Sequence, residues 1–290
     1  MEFKEAYNHK LLNTLDFTID FFAKYNLQWW AAYGTCIGAV RHKGIIPWDD
    51  DIDLYMLRKD YEKLISLRHE IQQCGYDLLS AYNGLNSVFF LKISDQHTTL
   101  IQEAEEPLDI GVYIDIFPLD YCNDDLKTEF RNYRLIRKWS ALHKYTYFKV
   151  SFTDIIKALR LKNGKASRYL YSMIVPPFVK DWTRKKIERI EKEVSVIEKG
   201  KYLVSYFNYD YNEILHAEWF DGYETSSFEG RTIRLPLNID EYLRQLYGDY
   251  MTPPKEIPET THSFYYANLL KKISIKEVKR SVKKGITKVF

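Results

Sequence analysis

Leu11, Leu15, Ile19 and Phe22 recur at three- and four-residue steps between charged positions, which predicts an amphipathic helix over residues 4–25. The period then changes. Leu27 to Tyr33 is a continuous apolar and aromatic run closed by Gly34, the pattern of a buried strand that feeds a glycine turn. Thr35 is placed to cap a short helix to Arg41, and Pro47 bars Ile46 from helical geometry, so residues 44–48 read as a loop. Asp51 to Leu57 reads as the second strand. Arg58 to Gln73, with Tyr61, Leu64 and Leu67 at helical spacing, reads as a helix that stops before Gly75. Ser87 to Ile93 and Val112 to Phe117 are further strands, short and rich in β-branched or aromatic residues. Beyond Asp120 the pattern is mostly helical, over 124–145, 153–161, 182–199 and 239–247. One strand is expected at Tyr202 to Phe207, and the proline-bearing 251–258 is extended. The fold class expected is α/β (α+β), a mixed sheet with flanking helices and a helix-rich C-terminal part.

Composition narrows the classes. Hydrophobic residues make up 46% of the 290, enough for a substantial core, and the net charge of +2 gives no global basic field, so nucleic acid is not expected as a partner. Cys36, Cys74 and Cys122 are far apart and form no C-x-x-C pair, which argues against a disulfide framework or a zinc ribbon and fits a reducing cytoplasm. No apolar run reaches the length of a membrane span, and the first residues alternate charges where a secretory signal would be apolar. The expected location is cytoplasmic, with room for a peripheral place on the inner face of the cell membrane. Aromatic residues reach 16%, with 24 tyrosines, which suits carbohydrate stacking or cation binding as well as an aromatic-rich core.

The chemistry gathers at Asp49, Asp50, Asp51 and Asp53. In a strand, side chains two apart share a side, so Asp51 and Asp53 would project together with Cα atoms about 6.5–7 Å apart and share one hard cation. Magnesium, with manganese as an alternative, is held this way by one or two carboxylates plus substrate phosphates. Upstream, Gly34, Thr35 and Gly38 mark a strand-to-helix turn suited to a phosphate of the donor. A phosphoryl-transfer site calls for a further carboxylate, and Asp115 sits alone between Ile114 and Ile116 in a strand-like run, with Asp109 and Asp120 read as loop residues beside it. It completes the metal shell or accepts a hydroxyl proton, and both roles stay open. Arg41 heads the cations that would neutralise developing charge, followed by Lys92 and Arg58 at predicted strand ends. His42 and His262 are candidate acids or bases. Trp29, Trp30, Tyr33 and Trp48 are near enough in sequence to cage a quaternary ammonium, although core packing is expected to claim at least two of them.

The segment GTCIGAVRHKGIIPWDDDIDLYMLRKDYEKL resembles the signature of the LicD family, the bacterial phosphocholine transferases related to the fukutin group. GVYIDIFPLD is similar to the family's second motif, and SFEGRTIRLPLNIDEYLRQLYGDYMTPP to its C-terminal block. The resemblance implies a nucleotidyltransferase-like core over 1–122 and a helix-rich part over 123–268 that completes the site and the acceptor region. It also implies magnesium-dependent transfer of a phospho-alcohol from a CDP-linked donor to a glycan or lipid-linked glycan acceptor, with Asp51, Asp53 and Asp115 as the acidic site residues. The alternative is transfer of NMP from an NTP to a small alcohol or antibiotic. A third possibility is a binding protein with a vestigial site.

From Leu269 to Phe290 eight Lys or Arg stand against Glu277 alone, and Ile275, Val278, Val282, Ile286 and Val289 share one helical face. This basic amphipathic tail either lies on an anionic membrane surface or packs on the body. The run at 169–179 is a second, weaker candidate for an interface.

Overall fold

A computed structural model describes residues 2–108, 110–122, 125–161, 164–207, 213–256 and 264–290. In chain order the first half comprises α1 (Phe3–Lys24), β1 (Trp30–Ala31), α2 (Tyr33–Ile37) continued by a π-turn at Gly38–His42, β2 (Asp53–Leu57), α3 (Arg58–Ser66), α4 (Arg68–Gln73), β3 (Tyr76–Leu79), β4 (Leu91–Asp95), β5 (Thr99–Ile101) and β6 (Tyr113–Cys122). The second half comprises α5 (Leu126–Tyr145), α6 (Phe152–Leu161), α7 (Ala166–Ile174), α8 (Phe178–Val194), β7 (Tyr202–Val204), β8 (Ile214–His216), β9 (Glu224–Phe228), β10 (Arg231–Leu235), α9 (Ile239–Tyr247), β11 (Tyr266–Asn268), α10 (Ile275–Lys283) and β12 (Lys288–Val289). His262 and Asp109 lie outside the described residues.

The frame is a mixed sheet in the order β1-β2-β6-β4-β3, extended from the far end of β6 by β7 and β8. Only β2 and β6 run parallel within it. β6 lies at the centre, buried over nearly its whole length, so Asp115 and Asp120 belong to a core strand. α1 covers the sheet with Tyr7, Leu11, Leu15 and Phe22 on its buried face, as its spacing predicts. The helix expected over 58–73 is interrupted at Leu67, whose ψ of 13° breaks the ladder into α3 and α4. The strand expected from Asp51 begins two residues later, at Asp53, and that expected from Ser87 begins at Leu91. α7 was not anticipated by periodicity. Among the described residues no helix is long and apolar enough to cross a membrane. The three cysteines are free.

α5 to α8 form a helical arm with its own apolar clusters, one joining Tyr133, Ile136, Ile187 and Val194 to Phe89 and Phe207, another made of Ile155, Ala158 and Tyr169. β9, β10 and α9 return to the main core, where Phe228, Ile233, Tyr242 and Leu243 are buried. The basic tail packs on the body: Ile275, Val278 and Val282 of α10 cover Ile101, Tyr266 and Ile273. Its helix starts at a Ser274–Glu277 capping box. It stops at Lys283 rather than running on to Val289, because Gly285 turns with φ 77° and Lys288–Val289 pair beside β11.

His143 joins α5 to α8. The Thr183 hydroxyl donates to Val179 O, so the His143 Nδ1–H donates to Thr183 Oγ1 at 2.9 Å and Lys180 O at 3.1 Å. Burial pushes its pKa down from 6.5 to about 4. The unfolded chain therefore takes up a proton first: this stabilisation is complete above about 6.5 and is lost as pH falls toward 4. Urea midpoints followed by tryptophan fluorescence are expected to fall more steeply over that window for the wild type than for His143→Asn. Equal slopes would refute the assignment.

Candidate active site

Strand register builds the first part of the site. Asp53 of β2 stands opposite Asp115 of β6, and Asp115 stands opposite Lys92 of β4, so the three side chains form one row on one face of the sheet. Lys92 Nζ lies 2.6 and 2.8 Å from the two oxygens of Asp115, with both residues buried. The ammonium also sits 3.6 Å from the centre of the Tyr113 ring. Lys92, expected as a strand-end cation for the donor, is thus a mid-strand partner of the acid.

The second part is the loop before β2. One carboxylate oxygen from each of Asp49, Asp50 and Asp51 lies within 4.8 Å of the others. Asp51 precedes the ladder, so strand parity does not set its direction. The chain is instead held by α1, where Tyr7 Oη donates to Asp50 O at 2.9 Å and Lys4 Nζ to Asp49 O. Burial raises the Asp53 carboxyl well above the usual range, and Asp51, Asp115 and Asp49 raise it further, against the opposing pull of Lys92. Among the described residues no donor reaches the Asp53 carboxylate. A half-buried acid crowded by three others, with no donor among the described residues, suits a hard divalent cation; the triplet offers three oxygen ligands within reach of one another, and Asp53 and Asp115 stand outside that group.

The glycine turn is bound into this cluster. Asp53 N–H donates to Thr35 Oγ1 at 2.9 Å, so Thr35 lies inside α2 as an acceptor for β2 rather than as the cap of its helix. A Cβ on Gly34 would come 2.7 Å from Asp49 Oδ2, and one on Gly38 would come 2.4 Å from Gly44 O. Gly34 thus lets the backbone approach the acidic loop, and Gly38 lets the turn close on the backbone at Gly44. α2 begins at Tyr33, which holds φ 47° while its N–H donates to the Tyr242 hydroxyl at 3.1 Å and its own hydroxyl donates to Glu213 at 2.8 Å.

Arg41, His42 and Trp48 gather at the rim. Arg41 donates to Tyr250 O and, at 2.9 Å, to His42 Nε2, and its guanidinium is 5.7 Å from the Trp48 ring. Burial and the adjacent Arg41 lower the pKa of His42. Of the four proposed cage residues, Trp29, Trp30 and Tyr33 are core, and Trp48 alone is partly exposed. Arg58 is placed elsewhere. It follows β2 at the end opposite Asp53, about 16 Å along the strand. There it grips Asp120 through two hydrogen bonds of 2.7 and 2.6 Å and reaches Glu191 at 3.2 Å. A cation held this way is a structural partner for two buried acids, and it is not free for a donor phosphate.

The C-terminal block supplies parts that no local pattern marked. Glu229 N–H donates to Lys43 O at 2.8 Å, and Glu229 Oε1 accepts from Ile45 N–H at 3.1 Å, while Phe228 packs against Gly38. Tyr247, at the end of α9, lies within electrostatic reach of Asp53 and Asp49. The SFEG and YGDY motifs were the available signal, and each turns out to brace or border the acidic loop.

Residues 26–154 match the family model for the LicD/FKTN/FKRP nucleotidyltransferase domain. The chain is 28% identical over 272 residues to the lipopolysaccharide cholinephosphotransferase LicD of Haemophilus influenzae, an alignment covering 89% of this chain and 95% of that protein. A shorter stretch of 68 residues is 40% identical to the uncharacterized protein RP689 of Rickettsia prowazekii, covering 23% of this chain and 26% of that one. The matched domain contains the glycine turn, the acidic loop and the Asp53–Asp115–Lys92 row, and the longer alignment carries the C-terminal block as well: residues 26–154 form a LicD-family nucleotidyltransferase domain.

Proposed function

We propose that the protein transfers a phospho-alcohol, phosphocholine in the first instance, from a CDP-linked donor to a hydroxyl of a cell-surface glycan or its lipid-linked precursor, releasing CMP. The observation that carries this reading is the Asp53–Asp115–Lys92 row beside the Asp49–Asp51 triplet, inside the domain that matches the family. The full-length likeness to a lipopolysaccharide cholinephosphotransferase supports the choice of cargo and acceptor.

In this reading Asp51 and Asp53, with Asp115 beside them, would hold magnesium, whose charge would offset that of the donor pyrophosphate. The acceptor oxygen forms a bond to the phosphorus carrying the alcohol, the bond from that phosphorus to the CMP oxygen breaks, CMP takes the electron pair, and the hydroxyl proton leaves to bulk water. Asp115, with both oxygens on Lys92, is a fixed anion better suited to positioning than to taking up a proton. Gly34 and Gly38 allow the donor close to the backbone, Arg41 meets negative charge at the rim, and Trp48 offers a face to a quaternary ammonium. The helix-rich part after residue 122 would form the acceptor side, and a lipid-linked acceptor would bring the enzyme to a membrane surface.

Pure protein incubated with magnesium and a panel of CDP-alcohols is expected to release CMP, most strongly from CDP-choline and in the presence of a glycan acceptor. Release of pyrophosphate from an NTP would favour nucleotidyl transfer instead. No CMP from any donor, acceptors present, would overturn the proposal.

A further inference from the structure

The tail's apolar stripe is already used in packing, and the open apolar surface lies on the helical arm. Leu170, Met173 and Ile174 follow one face of α7 at steps of three and one and are 53, 48 and 68% exposed. Phe178 and Trp182 follow on α8, at 70 and 45%, immediately after the Pro176–Pro177 corner, Trp182 with an edge-to-face contact to Trp139 at 5.0 Å. The other side of α7 packs inward through Tyr169, which sits with Ile155 and Ala158 of α6. Single exposed apolar side chains are ordinary, but five large ones between residues 170 and 182, each at least 45% exposed, are not.

Charge identifies the occupant. Residues 157–189 carry ten lysines and arginines against two acids, and Lys157, Arg160, Arg168, Lys185 and Arg189 are exposed in the same stretch of chain. A second copy of the chain would set this basic surface against itself, which is repulsive. A surface of anionic headgroups over hydrocarbon complements both features, the cations meeting phosphate while the aliphatic side chains enter the acyl boundary and Trp182 sits at the interface. We infer that the outer face of α7 and the start of α8 docks the protein on an anionic lipid bilayer. The inference rests on the lipid-linked acceptor proposed above only for its purpose, since docking is read without turnover.

The test is flotation of the full chain with vesicles of phosphatidylcholine, alone or mixed with phosphatidylglycerol. The wild type should float with the mixed vesicles and little with the neutral ones. The double variant Leu170→Glu/Ile174→Glu changes two exposed positions, so its circular dichroism should match wild type. Its bound fraction should drop on the order of tenfold or more, whereas Lys279→Glu/Arg280→Glu in α10 should stay within about twofold. The rise in melting temperature with magnesium, which reads the acidic loop and not the arm, should be the same in the arm variant as in wild type, so a failed site and a failed dock give different results. The inference is overturned if the wild type ignores anionic vesicles, if the arm variant binds as well as wild type, or if the tail variant loses binding instead. It is also overturned if light scattering shows a wild-type dimer that the arm variant abolishes, which would make the face a self-association surface.

Discussion

Asp53→Asn is expected to melt at a higher temperature than the wild type in EDTA while losing at least about a thousandfold of the proposed transferase activity. The two effects have one cause. Asp53 stands half-buried among Asp49, Asp51 and Asp115, and as a carboxylate it adds a like charge that a cation would relieve. The neutral amide keeps the shape without the repulsion, and each kcal/mol relieved is worth about 2–4 °C in a chain of this size. Because the folded pKa is raised, the folded state holds the proton longer than the unfolded chain. Stability of the metal-free wild type therefore falls as pH rises from the ordinary carboxylate range through the folded value. The variant should lose that slope, and also the rise in melting temperature that magnesium gives the wild type. A variant that melts lower in EDTA, or that still gains from magnesium, would show that Asp53 is neither crowded nor a ligand.

Lys92→Met should be the most destabilising single change at the site, costing about 3–5 kcal/mol in denaturant titration, because it leaves Asp115 buried without its partner. Adding Asp115→Asn removes the stranded charge, so the double variant should regain much of the loss while remaining inactive. The cycle therefore separates pairing from catalysis, and additive single effects would mean that the ion pair is not coupled.

The elements around the site were legible where one local pattern decided them. Apolar spacing marked α1, and the runs through Leu54–Leu57 and Ile114–Phe117 marked the two strands that carry acids. The acidic segment itself was visible from its density and its apolar sequel. Its geometry was not. Asp51 lies outside the ladder because the carbonyls of Asp49 and Asp50 bond to Lys4 and Tyr7, partners more than forty residues away that no local period reveals. Lys92 looked like a strand-end cation because its pairing depends on a register set across the sheet. Arg58 looked close to the aspartates in sequence, but a five-residue strand carries it to the opposite end, where Asp120 and Glu191 wait. Glu229 and Tyr247 carried a motif signal without a location, since only tertiary folding brings the C-terminal block to the acidic loop.

The strand order also has a consequence for synthesis. β6 fills the place between β2 and β4, yet it is the last of the five strands β1, β2, β3, β4 and β6 to leave the ribosome. Until then β2 and the β3–β4 pair each present an uncovered edge to solvent and to neighbouring nascent chains, the condition that favours mispairing. The strand that brings Asp115 between Asp53 and Lys92 is the one that closes both edges, so an assembled acidic row and an edge-protected sheet arise in the same step.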